Sequence, residues 1–151
     1  MKSHLIAAFM LITASSAIAV EANPKTFVTA LYKRYDGPNA DMLGGGADKN
    51  FSSSLLALIR ADRGPGGEIG RIDYDPICGC QDAKGLKLVS VKVKRVSAAS
   101  VHAVSRFQID ATPRVIDLIL IRTPDGWRVN DVNPDGTGSL RAYLGDGKPN
   151  G

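Results

Sequence analysis

Residues 73–82 read Asp73-Tyr74-Asp75-Pro76-Ile77-Cys78-Gly79-Cys80-Gln81-Asp82. This stretch, called the central segment below, holds both cysteines of the chain and three acidic residues. Apolar residues recur at helical spacing before it, whereas apolar and polar residues alternate after it. Because helices followed by a run of strands are typical of an α+β domain, the central segment marks the passage from helices to sheet.

Two helices are predicted before the central segment. The first begins at Asn23-Pro24, a preferred N-cap followed by proline, and it carries an apolar stripe of Phe27, Ala30, Leu31 and Tyr35. The second helix begins at Asn50 or Ser52 and ends before Gly64. Turn-forming residues and a glycine triplet predict that the chain between the helices is a loop.

Alternating polarity predicts four strands after the central segment, at residues 89–94, 101–109, 115–121 and 127–132. The third run is apolar on both faces apart from Asp117, as in a strand that is covered on both sides. We predict an α+β domain in which the two N-terminal helices pack on a curved, mostly antiparallel sheet of about four strands. This cone-like arrangement leaves a cavity at its wide end, and a short helix at residues 139–144 follows the sheet.

The N-terminal residues resemble an export signal. Lys2 precedes an apolar run over residues 5–12, and small residues ending in Ala17-Ile18-Ala19 follow. This design predicts a signal peptide at residues 1–19. A retained anchor is disfavoured, because the apolar run is shorter than the roughly 20 residues that span a bilayer. We therefore predict a single domain at residues 20–145, a disordered tail at residues 146–151, a periplasmic location and no stable membrane insertion after cleavage.

The charge pattern does not favour a nucleic-acid partner. The net charge is +4, but basic residues are interleaved with acidic ones along most of the chain. The basic cluster of Lys92, Lys94 and Arg95 falls at alternating strand positions. Such a pattern is typical of a solvated strand face, or of a sheet edge protected from unwanted pairing.

Cys78 and Cys80 are expected to be oxidised if the protein is exported. We predict a structural disulfide between the two cysteines, which requires the backbone to bend, as Gly79 permits. Free or intermolecular thiols and a redox-active pair stay open as alternatives. We predict no metal site, because His102 is the histidine that remains after signal cleavage and it lies on a polar strand face. No motif predicts a cofactor.

The acidic residues are the candidates for a site. We expect Asp73, Asp75 and Asp82 to accept turn hydrogen bonds, with Gln81 as a further brace and with Tyr74 packing its ring.

Alternatively, these acids act as proton donors or acceptors. Asp117 is the other acidic candidate, either on an inward face beside a substrate or paired with Arg106 or Arg128. Asp131, which alternation puts on the face of Trp127 and Val129, raises the same two alternatives.

Four motifs together carry a resemblance. They are the run at residues 27–32, the central Asp73-Tyr74-Asp75-Pro76 with Gln81-Asp82, the run at residues 126–129 and the run at residues 138–141. These motifs resemble a bacterial exported family known as a domain of unknown function. That family is similar in fold to nuclear transport factor 2 and to the SnoaL-type cyclases and isomerases. The resemblance implies a cone-shaped fold and a shared site, but no catalytic residues. Similar folds often pair through the outer sheet face, so a homodimer is one of the open oligomeric states.

The sequence therefore predicts a small exported domain that binds an unidentified small ligand or protein without catalysis. One alternative is an acid–base enzyme of the isomerase or cyclase type that uses the cone cavity. The other is an immunity-type protein that binds a toxin.

The mature protein is expected to begin near Val20, because the small residues at 17–19 form the cleavage site. Intact-mass measurement on a periplasmic extract checks this prediction. A species that keeps Met1 and fractionates with membranes would contradict it.

Overall fold

The structure is a computed structural model, and it describes residues 23–37, 40–64, 69–134, 136 and 138–145. The predicted signal peptide and C-terminal tail lie outside the described residues. Within these residues no helix is both long and apolar enough to cross a membrane. In chain order the helices and strands are α1 (Pro24–Lys33), α2 (Ala47–Asn50), α3 (Ser53–Asp62), β1 (Lys87–Arg95), β2 (Ser100–Ile109), β3 (Thr112–Thr123), β4 (Gly126–Pro134) and α4 (Leu140–Leu144).

The four strands form one sheet in the order β1-β2-β3-β4, and each neighbouring pair is antiparallel. The predicted α+β class and the strand count are therefore confirmed. A bulge at Val89 interrupts the β1–β2 ladder, and a bulge at Asn130 interrupts the β3–β4 ladder. The basic cluster predicted from alternation lies on β1, which is an edge strand of this sheet.

Helix α1 begins as predicted, because the Asn23 side chain accepts a hydrogen bond from the Lys25 N–H and Pro24 occupies the first turn. Its buried face is Val28, Leu31 and Tyr32, whereas Ala30 is exposed, so the predicted stripe is displaced. The cause is Tyr32. Its ring lies 5.1 Å from that of Phe107, between centroids, and its hydroxyl donates to the Ile77 carbonyl at 2.8 Å. A large ring that finds a polar partner gains more from burial than an alanine does.

A loop was predicted between the first two long helices, but the described residues there include the short helix α2. Ser52 is the cap of α3, because its hydroxyl accepts from the Leu55 N–H at 3.2 Å. Asn50 is instead buried, where it accepts from Arg34 at 2.7 Å and donates to the Met42 carbonyl at 3.1 Å. The Ser52 N–H donates to the Val129 carbonyl at 2.8 Å, which ties this stretch to the outer edge of β4.

Strand β3 is fully covered on one face, so the prediction of coverage on both sides is wrong. Ile116, Leu118 and Leu120 are buried, whereas the alternate residues from Val115 to Ile121 are half-buried. Side chains of the adjacent β2, including His102 and Val104, account for this partial cover, because they lie opposite β3 in the register. The outer face is where the predicted homodimer would form, and that pairing stays a prediction.

Asp131 holds the C-terminal helix against β4. Asp131 is 7% exposed. Its carboxylate accepts hydrogen bonds from the Ser139 hydroxyl, from the Val132 N–H at 2.9 Å and from the Arg141 N–H at 3.1 Å. The bulge shifts the alternation of β4. Val129 pairs with Leu120, whose side chain is on the buried face of β3, whereas Asp131 pairs with Ile119, whose side chain is on the other face. Its predicted place on the face of Val129 is therefore wrong, and its contacts bind α4 to the sheet.

Replacing Asp131 with alanine should lower the free energy of unfolding by about 2–3 kcal/mol, because buried donors lose a charged acceptor. Urea unfolding of Asp131→Ala measures this loss. The matched control is Asp125→Ala, since Asp125 is an exposed aspartate in the β3–β4 turn. Equal stabilities of the two variants would contradict the assigned role of Asp131.

Candidate functional site

The central segment closes into a small loop. Asp75 and Cys80 form an antiparallel bridge, in which the Asp75 N–H donates to the Cys80 carbonyl at 2.9 Å and the Cys80 N–H donates back at 3.3 Å. Gly79 has a φ of +59°, a value that L-residues rarely adopt. This bend brings the Cα atoms of Cys78 and Cys80 to 5.2 Å, inside the usual disulfide window, and their sulfurs are bonded. The intramolecular pairing is thus the one that the structure contains.

The loop is fixed to the domain on its inner side. Ile77 and Cys78 are buried, and the Ile77 carbonyl accepts the hydroxyl of Tyr32. A Cβ added to Gly79 would lie 3.5 Å from Ile116 Cδ1 and 3.8 Å from Pro134 Cβ, so the glycine backbone lies close against β3 and β4. The loop therefore belongs to the core on one side and faces solvent on the other.

Asp75 is the most constrained acid of the segment. One carboxylate oxygen accepts the Tyr35 hydroxyl at 2.8 Å, and the other accepts the Ile77 N–H at 2.8 Å. Burial raises the pKa of Asp75 from 3.8 to about 6, with Asp41 adding to the rise and these two hydrogen bonds opposing it. Burial and the nearby carboxylate also raise the pKa of the Tyr35 hydroxyl. Asp75 therefore titrates closer to neutral pH than an exposed aspartate does.

The remaining polar side chains of the segment make local contacts. Gln81 donates to the Asp73 carboxylate at 3.0 Å, and the Asp82 carboxylate accepts the Lys84 N–H at 2.8 Å. Tyr74 is half-buried, and burial raises the pKa of its hydroxyl. The structure thus brings together the predicted site residues of the central segment, whereas Asp117 and Asp131 lie elsewhere.

A cleft of about 550 Å³ opens beside the segment. Its lining includes Asp73, Asp75 and Asp82 of the central segment together with residues 40–43. Asp41 fixes the turn at residues 41–44, because its carboxylate accepts hydrogen bonds from the N–H groups of Leu43 and Gly44 at 3.0 and 2.9 Å.

The cleft is not the predicted cone cavity, because no residue of β1–β4 lines it. The inner face of the sheet is instead filled by buried side chains such as Phe107, Leu118 and Leu120. The predicted cone cavity stays a prediction.

Sequence reasoning missed several contributors to the cleft. Asp41, Arg63 and Ile69 come from connecting segments that carry no helical or strand periodicity. Ile69 is 82% exposed, an unusual state for an isoleucine. The spacing of Asp41 before Gly44 was a weak signal of a turn, but only the packing of the chain puts this turn opposite the central segment.

Asp117 lies outside this site. Its carboxylate is 3.1 Å from His102 Nδ1, on the outer face of the sheet. The predicted inward position is therefore wrong, because the alternate residues Ile116 and Leu118 take the inner positions. The predicted arginine partner is wrong as well, because the carboxylate contacts His102. Among the described residues, no three His, Cys, Asp or Glu side chains are grouped so as to hold a metal ion.

Comparisons with known proteins support the fold more than a family. No protein-family model matches the chain, so the family resemblance stays a prediction. The chain is 36% identical over 69 residues to the uncharacterized protein YqhG of Escherichia coli strain K12. This alignment covers 44% of the chain and only 22% of the E. coli protein.

A solved structure with a similar fold is a chain in the type VI effector–immunity complex Tae3–Tai3 from Ralstonia pickettii. The TM-score is 0.53 at 12% sequence identity, and the match covers 76% of this chain and 97% of that one. At this identity the similarity concerns the fold alone.

Asp75→Ala should lower the free energy of unfolding by about 1–2 kcal/mol at neutral pH, because the Tyr35 hydroxyl and the Ile77 N–H lose their acceptor. The difference from wild type should widen by about 1–2 kcal/mol as the pH falls from about 7 to about 4. The sign follows from the raised pKa: the folded chain holds a proton on Asp75 below a pH of about 6, whereas an unfolded aspartate takes one up only near 3.8. Protonation in this range therefore favours the folded state.

Urea unfolding of wild type and Asp75→Ala across this pH range measures the effect, with Asp125→Ala as the control. A difference in unfolding free energy that stays constant or narrows would contradict the assigned environment of Asp75.

Thermal melts of Asp73→Ala, Asp75→Ala and Asp82→Ala test whether the three acids of the central segment brace the loop. If all three central variants melt at the wild-type temperature, the bracing role is wrong and a ligand-binding role for these acids is favoured.

Proposed function

We propose that this protein is a small exported binding protein of the immunity type, which recognises a partner protein through the cleft beside the central segment. The observation that carries the proposal is the construction of the cleft. Its lining combines the loop closed by Cys78 and Cys80 with the turn fixed by Asp41. A wall that is already ordered loses little entropy when a partner binds, which favours recognition.

The lining suggests the chemistry of the partner. Four carboxylates, those of Asp41, Asp73, Asp75 and Asp82, border the cleft, and Arg63 is the one basic side chain in its described lining. This acidic surface belongs to a chain whose net charge is +4. Apolar side chains, among them Leu43 and the exposed Ile69, complete the lining. A partner segment that combines apolar residues with lysine or arginine is complementary to such a surface.

The structural neighbour adds a second line of support. A chain of similar fold occurs in a type VI effector–immunity complex. We extend to this chain only the idea that the fold presents a surface to a partner protein. The predicted signal peptide is consistent with this role, because an immunity protein that meets its toxin in the periplasm has to be exported.

The test uses the purified product of the gene that adjoins this one as the candidate partner. Isothermal titration calorimetry should show binding to the mature protein. Asp73→Lys with Asp82→Lys should weaken that binding by about tenfold or more, because two attractive charges become repulsive. Asp125→Lys makes the same kind of change away from the cleft, and it should alter affinity by less than about twofold.

Absence of binding contradicts the proposal, and so does equal weakening by the cleft and control variants. A growth assay adds a functional measurement. Cells that export the candidate partner should survive when they also export this protein, and survival should fall with the cleft variant.

Acid–base catalysis is a second candidate, favoured by Asp75. This carboxyl has a pKa of about 6, contacts the Tyr35 hydroxyl and borders a cleft. Carboxyl groups with raised pKa values in clefts are typical of proton-transfer sites. A biosynthetic gene neighbourhood, together with turnover of a carbonyl substrate that Asp75→Asn abolishes, would favour catalysis over partner binding.

A further inference from the structure

The two cysteines of the central loop differ in their exposure to solvent. Both cysteines border the cleft, but Cys78 is only 2% exposed, whereas Cys80 is half-buried. A reagent that enters the cleft therefore meets Cys80 first. Thiol–disulfide exchange depends on which sulfur can be attacked, so access decides the course of the reaction.

The surroundings of Cys78 suit a thiol and not a thiolate. Its sulfur lies 3.6 Å from the Asp75 carbonyl oxygen and 3.6 Å from the Cys80 carbonyl oxygen, which are both hydrogen-bond acceptors. A released Cys78 thiolate would face these acceptors in a buried position, so it would take up a proton and donate to one of them.

The loop has supports that do not depend on the disulfide. The Asp75–Cys80 bridge supplies two backbone hydrogen bonds, and Tyr32 and Tyr35 each bind the loop through a hydroxyl. Closing a ring between residues only two apart also removes little entropy from the unfolded chain. The fold is therefore expected to persist when the bond opens.

We infer that the Cys78–Cys80 disulfide is a thiol-exchange site that small thiols and protein dithiols address from the cleft. The attacking thiolate bonds to Cys80 Sγ, the bond between the two sulfurs breaks, and Cys78 leaves as a thiolate that takes a proton from solvent. With a dithiol, the second thiolate then attacks the reductant's own sulfur in the mixed disulfide, and Cys80 leaves and is protonated. The chain gains two electrons and two protons, and the dithiol becomes a disulfide.

The acidic border gives this site a charge preference. Asp73 and Asp82 are exposed and line the cleft with Asp75, so they repel an anionic thiol and attract a cationic one. The inference does not depend on the partner protein proposed above, because it concerns only the disulfide and the side chains around it.

The first experiment measures reduction of the folded, oxidised protein by cysteamine, which is cationic, and by mercaptoethanesulfonate, which is anionic. Rates are read by intact mass after acid quenching, at equal thiolate concentrations. The ratio of the cysteamine rate to the mercaptoethanesulfonate rate should be about fivefold higher for wild type than for Asp73→Asn with Asp82→Asn, and added salt should reduce the difference. Intrinsic thiol reactivity cancels, because the same two thiols act on both proteins.

The second experiment locates the attacked sulfur. In Cys78→Ser the remaining Cys80 thiol should react with an aromatic disulfide reagent at least about tenfold faster than the Cys78 thiol of Cys80→Ser. Fragmentation mass spectrometry of the wild-type mixed disulfide with cysteamine should place the adduct on Cys80. This second readout needs only the wild-type chain, so it holds even if a serine variant folds poorly.

Three results would overturn the inference. One is reduction of the disulfide only at denaturant concentrations that unfold the chain. Another is an adduct found first, or equally, on Cys78. The third is a ratio of thiol rates that the Asp73 and Asp82 variants leave unchanged, which would show that thiols do not approach through the cleft.

Discussion

The contact between the central segment and helix α1 is the constraint on which the site depends. Tyr32 donates to the Ile77 carbonyl and Tyr35 donates to the Asp75 carboxylate, so two tyrosine hydroxyls of one helical stretch hold the loop against the sheet. A loop buried on one side must satisfy its backbone polar groups, and here the Tyr32 hydroxyl and the Asp75–Cys80 bridge do so. The same contacts orient the disulfide, displace the buried face of α1 and leave the opposite side of the loop to form a wall of the cleft.

The position of the cleft follows from how the sheet is covered. Large apolar side chains fill the inner face of the sheet, and the described cleft lies among residues outside the strands. Connecting segments carry polar residues, which is why carboxylates dominate the border of the cleft. The partial burial that fixes Asp75 also raises its pKa, so one arrangement explains both the bracing of the loop and the unusual acidity of its central carboxyl.

The comparisons and the site contribute different kinds of information. The similarity to a chain of an effector–immunity complex extends over most of this chain, but its low sequence identity limits it to the fold. A fold of this kind supports either a binding surface or a catalytic cavity. The proposal of partner recognition therefore rests on the side chains of the cleft, with their mixed acidic and apolar character.

The sequence alone determined the features that depend on neighbouring residues. Alternation located all four strands, capping residues located the starts of α1 and α3, and Cys-Gly-Cys located the bend. Only the tertiary structure decided which distant segments meet. Nothing local indicates that Asp117 pairs with His102, that the turn at Asp41 faces the central segment or that a bulge displaces Asp131. The physical reason is that periodicity reports one element's own faces, whereas register, bulges and the packing of loops are set by the whole core at once.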